Sequence, residues 1–415
     1  MTVRLGSSDV HVEPSRINHL LNAVENASPV AAVDAVAEEL LVSVEALQVS
    51  FFIADFSGEQ LVRLAQRGAA EANVGPEAEI QPIENSTAGS ALRRQEVQII
   101  EREEVTSVYV PVTARGETIG VLEVVLRKPP TPQIIAELRA VAHALAYIII
   151  VNGRHTDLFE WGQRSVPMTL AAEIQRRLIP DAFTCEAGQF TLAGWLEPSS
   201  QVAGDTFDYS LERDELSISV TDAVGHSVGA ALIAAVCVSA LRNARRSGQG
   251  LEARAGAANS ALLQHAENDQ FVTGQLISVD LPSQTAAIVN AGHPPPYLFR
   301  DGKVTLVKLD ADPPFGMFET TYRVQELNLV EGDRLLLVTD GLIERNAANI
   351  DIAPIIRNLA ASHPREVVQH LCQRVAKEAG GTLNDDATVV CLDWHGGPDR
   401  SRKTDAGANE FGASD

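Results

Sequence analysis

Cysteine is scarce in this sequence: Cys185, Cys237, Cys372 and Cys391 stand far apart in 415 residues and form no C-x-x-C pair. That spacing excludes a zinc ribbon or a dithiol redox motif and is the usage expected in a reducing cytoplasm. Three of the four lie in apolar helical or strand contexts, where a thiol packs as a small hydrophobe. Basic charge is short as well. Against 55 acidic residues there are 33 Lys and Arg, giving a formal net charge of −22 and a pI near 4.8. Such a surface repels a phosphate backbone and an anionic bilayer alike, which argues against nucleic-acid and membrane binding. Long hydrophobic runs are missing too: the longest, 140–151, is broken by His143. It falls short of the roughly 20 residues a bilayer span needs, so no membrane crossing is expected. The first residues, MTVRLGSSDVHVEPSR, contain no apolar signal core.

What is present is an ordinary folding composition, 45% hydrophobic and 21% charged. At about 150 residues per domain the length implies two folded units. Residues 15–46 carry apolar positions at helical spacing, and 48–68 read as two strands joined at Ser57-Gly58. EVQIIE (96–101), SVYVPV (107–112) and ETIGVLEVVL (117–126) are β-rich, with Ala114-Arg115-Gly116 as a turn. Helical spacing returns from Pro132 to about Val151, so the first unit is a sheet flanked by helices. His143 sits on an apolar helix face and reads as a packed structural histidine, not a ligand.

Residues 153–180 are mostly helical, broken at Pro167; beyond it Leu170, Ile174 and Leu178 recur every fourth residue until Pro180 ends the helix. The final stretch, 396–415, is glycine-rich and polar and is expected to be a disordered tail; residues 1–14 are expected to be a flexible N-terminus.

The second unit places aspartates beside strands and small turn residues in VAGDTFDY (202–209), ISVTDAVGH (218–226), LLLVTDGLIE (335–344) and NDDATVVCL (384–392). Each alone could be a turn or cap residue. Together, on rigid strand ends, they can converge, and an oxygen-only set poor in histidine suits Mg²⁺ or Mn²⁺ better than zinc or copper. Two such ions supply an activated water for in-line attack on phosphorus, with no side-chain nucleophile required.

The order of these motifs over residues 170–394 resembles the SpoIIE-type members of the metal-dependent PPM phosphatases. The resemblance implies two Mn²⁺ or Mg²⁺ ions held by Asp205, Asp222, the backbone carbonyl of Ala223, Asp340 and a fourth acid. The family pattern D-[DN]-x-T favours Asp385 as that acid, with Asp386 left open. Asp208 is assigned to support of the fold. In NAGHPPPYLF (290–299), His293 is read either as a turn residue or as the acid for the leaving group, and His226 in the same two ways. Many relatives have glycine at the positions of Ala203, Ala223 and Ser227, and alanine reaches the backbone conformations of glycine less freely, so an altered metal affinity is the expectation these replacements raise, with all four candidate carboxylates present. Residues 15–152, through STAGSALRRQE (86–96) and VYVPVTARGETIGVLEV (108–124), resemble a GAF domain, and LAAEIQRRLIP looks like the linker helix that precedes SpoIIE-type domains.

The resulting expectation is an α+β chain: a GAF sheet with flanking helices (15–152), a helical linker (153–180) and a PPM-type α/β/β/α antiparallel sandwich (181–395). The implied function is phosphoserine or phosphothreonine hydrolysis on a regulatory protein of the anti-sigma-factor antagonist type. A GAF ligand, small molecule or protein, would control it, and the chain would be a homodimer. Two rivals stand. A non-enzymatic signalling scaffold predicts no metal-dependent turnover. A serine hydrolase is suggested by GHSVG (225–229), which matches a nucleophile elbow at Ser227, but it leaves Asp205 and the Asp385-Asp386 pair without a task.

Overall fold

The computed structural model describes residues 14–68, 79–165, 167–197, 204–225, 227–265, 270–343, 350–378, 380, 385–397, 404–405 and 407–409. Two compact units result: the described residues up to Pro167 together with 404–409, and those from Met168 to 397. Of the expected flexible N-terminus, residues 1–13 lie outside the described residues.

In the N-terminal unit the order is α1 (Pro14–Asn26), α2 (Ala32–Ser43), β1 (Gln48–Ala54), β2 (Gln60–Gly68), β3 (Ile80–Pro82), α3 (Thr87–Arg94), β4 (Gln98–Glu101), β5 (Thr106–Ala114), β6 (Glu117–Leu126), α4 (Pro132–Asn152) and α5 (Leu158–Gly162). The strands form one antiparallel sheet in the order β3-β2-β1-β6-β5-β4. Arg115 (φ 50°) and Gly116 (φ 83°) make the two-residue left-handed turn whose twist suits a tight β5-β6 hairpin. Alternation along the strands sorts two layers. Phe51, Ile53, Leu122 and Val124 pack under Val36, Leu40, Leu138 and Leu145 of α2 and α4, while Phe52 and Val121 face Ala88 and Ala91 of α3. Ser86 caps α3, its hydroxyl accepting from Gly89 N at 3.0 Å.

His143 Nδ1 lies 2.9 Å from Thr113 O, and its ring meets Tyr147 edge-on, as a packed histidine should. Phe159 of α5 is buried in this unit, so the expected linker is divided: its first half belongs here and its second half to the other unit.

The C-terminal unit runs α6 (Leu170–Leu178), β7 (Thr184–Glu186), β8 (Phe190–Glu197), β9 (Asp205–Leu211), β10 (Glu215–Ala223), α7 (Ser227–Arg246), α8 (Leu251–His265), β11 (Val272–Asp280), β12 (Thr285–Ala291), β13 (Tyr297–Arg300), β14 (Lys303–Leu306), β15 (Gln325–Asn328), β16 (Arg334–Val338), α9 (Ile352–Asn358), α10 (Pro364–Glu378) and β17 (Ala387–Trp394). Two antiparallel sheets, β15-β12-β11-β10-β9 and β14-β13-β16-β17-β8-β7, face each other. Leu335, Leu337, Val390 and Leu392 meet Ile218, Val220, Ile277 and Ile288 between the sheets. The alternate residues Leu336, Val338, Val389 and Cys391 lie under α9 and α10, while Cys237, Leu241 and Ala255 of α7 and α8 cover Leu276 and Val289. This is the four-layer helix-sheet-sheet-helix arrangement expected from the sequence.

Two helices differ from expectation: α4 and residues Val228–Arg246 of α7 are long and apolar enough to cross a membrane by length and composition. Counting one unbroken apolar run missed them because isolated polar residues, His143 in α4 and Ser239 in α7, hardly lower the apolarity of a whole helix. Each nevertheless buries one face in its own unit, Leu138, Ala142, Leu145 and Ile149 in α4 and Ala234, Cys237 and Leu241 in α7.

The tail also departs from expectation. β18 (Thr404–Asp405) pairs with β19 (Ala408–Asn409), and the hairpin belongs to the N-terminal unit. Gly407 is buried at φ 89°, and a Cβ there would stand 2.5 Å from Thr113 O and 2.6 Å from His143 Nδ1. Composition suggested disorder because the segment cannot build a core; it docks on β5 and α4 instead. Gly407→Val combines a disfavoured φ with that collision. It is expected to release the hairpin and to speed amide exchange, measured by mass spectrometry, across residues 106–114 and 140–147. Unchanged exchange there would show that the hairpin does not hold this face.

Candidate metal centre

The acidic residues singled out by sequence come from the ends of both sheets. Asp205 opens β9 and is the register partner of Asp222, next to last in β10, so the two are cross-strand neighbours on one face. In the other sheet Asp340 follows β16 after Thr339, and Asp385 and Asp386 lead into β17, whose Val389 pairs with Val338. Gly341 presses these last two segments together: a Cβ at Gly341 would lie 1.9 Å from Asp386 O, a contact only glycine permits.

Hydrogen bonds lock the arrangement. Asp205 Oδ2 accepts from Thr339 Oγ1 at 2.6 Å and from Thr388 Oγ1 at 2.8 Å, while Thr388 N donates to Thr339 Oγ1 at 2.9 Å. Gln175 of α6 sends its amide into the same cluster, donating to Asp386 Oδ2 at 2.6 Å and to Asp205 O at 2.8 Å. Asp386 N donates to Asp385 Oδ1 at 3.1 Å.

The electrostatics follow from that crowding. Burial first, then the charges of Asp222 and Asp386, push the Asp205 carboxyl well above the usual range. Burial, then Asp340, Asp385 and Asp386, raise Asp222 from 3.8 to about 7. Among the described residues, the charges that act most strongly on the two are all carboxylates. Other buried acids of this unit are neutralised: Asp208 by Arg242 and Arg245, Asp312 by Arg323, Asp333 by Arg300, and Glu186 sits beside His363. Among the described residues no group of three or more acidic, histidine or cysteine side chains is closed into a ready metal cage. The carboxylates are near enough to raise one another's proton affinity, and this oxygen-only, mutually repelling set fits a hard divalent cation.

Residues 212–395 match the family model described as Stage II sporulation protein E. Over 238 residues the chain is 26% identical to phosphoserine phosphatase RsbP of Bacillus subtilis, covering 54% of this chain and 57% of that protein. Phosphoserine phosphatase RsbU of the same organism is 21% identical, with 54% of this chain and 68% of RsbU covered. Among solved structures, the RsbU and RsbW domains of a Mycobacterium tuberculosis protein align over 53% of this chain and 63% of theirs, at 26% identity and a TM-score of 0.47. The chain thus spans little more than half the length of RsbP.

Several residues of the C-terminal unit have roles that differ from expectation or sharpen it. Ala223 ends β10 and is not among the residues with positive φ, so alanine meets no backbone penalty there. Its N–H donates to Gly204 O at 3.2 Å. Asp208 is structural, as expected: Arg242 and Arg245 bind it and tie α7 to β9. His293 is buried, with Nδ1 2.9 Å from Thr273 Oγ1, and its backbone N–H donates to Asn290 Oδ1 at 2.8 Å. Burial lowers its pKa to about 3, against the opposing pull of the Val338 backbone, so the ring is neutral and braces the turn. Ser227 is the first residue of α7; Ala203 and His226 lie outside the described residues.

Sequence reading missed Thr339, Thr388 and Gln175. Thr388 was visible as the last letter of the D-D-x-T pattern. Gln175 showed only as a polar residue between Ala171 and Leu178 on the buried face of α6.

A pH dependence follows. Asp222 binds its proton more tightly folded than unfolded, so between 3.8 and about 7 the metal-free folded state holds more protons. Its stability therefore falls as pH rises through that window. Metal-free protein is expected to melt at higher temperature at about pH 5.5 than at about pH 8, and Asp222→Asn to shrink the difference by on the order of 5 °C. Calorimetry of both proteins checks this, and an undiminished difference in the variant would remove Asp222 as its source.

Proposed function

We propose that this chain is a metal-dependent protein phosphatase that hydrolyses phosphoserine or phosphothreonine on a regulatory protein. The observation that carries the reading is the convergence of Asp205, Asp222, Asp340, Asp385 and Asp386 from the ends of both sheets, with burial and mutual repulsion raising the first two. Asp205, Asp222, Asp340 and Asp385, with Asp386 and the Ala223 carbonyl, are the groups that would hold two Mn²⁺ or Mg²⁺ ions. Bound there, the ions supply an activated water and offset the charge of the phosphoryl group. The protein's own part is positioning. Thr339 and Thr388 fix one oxygen of Asp205, and the pairing of β9 with β10 fixes Asp205 beside Asp222.

The phosphoserine-phosphatase names of RsbP and RsbU support this substrate class. An anti-sigma-factor antagonist is the partner type we assign. For the N-terminal unit we assign a GAF-type sensory role and a place in a homodimer. The six-stranded antiparallel sheet with helices on both faces, and the motif hairpin β5-β6, support that assignment.

The test is hydrolysis of a phosphoserine protein with and without Mn²⁺. Turnover is expected to require the metal, and folded Asp222→Asn and Asp340→Asn variants to lose about 100-fold or more, the size of a few kcal/mol of lost transition-state stabilisation. If no metal supports turnover by the wild type, the scaffold reading replaces this one.

A further inference from the structure

Met317 and Phe318, in the connection between β14 and β15, are 41% and 59% exposed. Apolar residues scattered singly over a surface need no explanation, but two in succession on a loop held rigid do. The loop is held at its middle and at both feet. Asn259 of α8, itself buried, uses both ends of its amide: Oδ1 accepts from Gly316 N at 2.7 Å, and Nδ2 donates to Phe318 O at 2.9 Å. Gly316 turns the chain at φ 90°, where a Cβ would stand 2.9 Å from Leu262 Cβ. Phe315 before it is buried against Tyr322, ring centres 5.1 Å apart. Beyond the tip, Arg323 N and Nε donate to the Asp312 carboxylate at 2.7 and 2.8 Å. All this order leaves Met317 and Phe318 in water.

The backbone pairing places that loop beside the acidic cluster. Phe315 exchanges both backbone hydrogen bonds with Val272, at 2.8 and 3.0 Å, and Val272 is the register partner of Ala223, which follows Asp222 in β10. Neighbouring strands lie about 4.8 Å apart, so two steps put Phe315 roughly 10 Å from Ala223. Apolar side chains continue across those steps. Val224, 39% exposed, donates its N–H to Phe271 O at 3.0 Å, and Phe271 is half-buried. Val224, Phe271, Met317 and Phe318 are thus strung on three segments bonded to one another. The segments 224–225, 270–271 and 316–318 contain no lysine or arginine.

What arrives at this end of the sandwich follows from the phosphatase reading, on which this inference rests. A protein whose phosphoserine reaches the carboxylates also covers the surface around them; about 800 Å² per partner corresponds to a disc roughly 16 Å in radius. Such a disc takes in the rim. Aromatic residues and methionine are the types enriched where proteins meet, and methionine adapts its shape to a partner. We propose that Met317 and Phe318, with Val224 and Phe271, form a docking rim for the phosphoprotein substrate, and that this substrate is a folded protein with an apolar patch beside its phosphorylated side chain. The rim segments carry no cation and the chain is strongly acidic, so the contact is apolar and not ionic. A five-residue phosphopeptide extends only about 7 Å to either side of its phosphoserine and stops short of the loop.

The experiment is steady-state kinetics of the full chain with Mn²⁺ on two probes, a folded serine-phosphorylated anti-sigma-factor antagonist and a five-residue phosphoserine peptide of the same sequence. It compares the wild type with the double variant Met317→Ser, Phe318→Ser. Wild-type kcat/KM is expected to be about 10-fold or more higher on the folded protein, and the double variant to lower that value about 10- to 100-fold, mainly through KM. The loss should persist in about 0.5 M NaCl, which screens charge but not apolar contact. On the peptide the variant should stay within about twofold of the wild type. Val330→Ser, 47% exposed at the opposite end of β16 from Asp340, is the control and should change neither value. Should the double variant not fold, Phe318→Ser alone is read in the same way. A wild type with no preference for the folded protein, or a folded variant that loses equally on both probes or on neither, would overturn the docking rim and leave the phosphatase reading standing. A variant that sediments as a smaller species while keeping its kcat/KM on the folded protein would assign the rim to a second copy of the chain and overturn the proposal. A wild type that hydrolyses neither probe would overturn the phosphatase reading and this proposal together.

Discussion

Like charges held together out of water are the constraint around which the C-terminal unit is built. Each carboxylate in the cluster makes its neighbours harder to ionise, and burial adds to that cost. A fold can hold such a group only on elements that do not relax. Here those elements are strand ends, tied by Thr339 and Thr388 on one side and by the β9-β10 register on the other. The contrast with Asp208, Asp312 and Asp333 gives the arrangement its meaning. Each of those acids has an arginine, so the protein does supply countercharge where an acid serves the fold. Among the described residues no arginine or lysine is paired with Asp205 or Asp222, and the charges that act most strongly on them are other carboxylates.

Much of this was legible because strand alternation and strand ends leave marks in sequence. LLLV of β16 and VVCL of β17 split cleanly between the inter-sheet core and the face under α9 and α10, and the aspartates stand where those runs begin or stop. The N-terminal hairpin was legible for a similar reason, since Arg115-Gly116 is a turn pair between two β-rich runs. What stayed hidden depends on contacts between segments distant in sequence. Thr339 and Asp205 are 134 residues apart, and Gln175 and Asp386 are 211 apart. No local pattern encodes such pairs. The alanine at 223 misled for the opposite reason: it suggested strain by comparison with glycine, but its own backbone is extended strand, where a Cβ is welcome and helps fill the core under α7.

The docked hairpin at 404–409 makes a related point about composition. A glycine-rich, polar segment lacks the apolar area to fold alone, and that inference holds for the segment in isolation. It fails when a larger unit offers a surface to dock on. Gly407 fits against Thr113 and His143 because it has no side chain. Described segments on both sides of the C-terminal unit, up to Pro167 and at 404–409, therefore belong to the N-terminal unit.

The same connectivity decides where the boundary between the two units falls. The linker expected from sequence as one helical stretch is divided between the units, with Phe159 buried in the first and α6 packed in the second. A helix embedded in the second unit is held there by specific contacts. For α6 those are the salt-bridged Arg242 on its C-terminal carbonyl, the packing of Leu178 and the amide of Gln175 against two members of the acidic cluster. Strands paired over seven or more residues, as β9, β10 and β11 are, resist displacement far better than a nine-residue helix lying over their ends. The helix therefore touches the carboxylates without supplying any of them, and the strands alone fix where they stand.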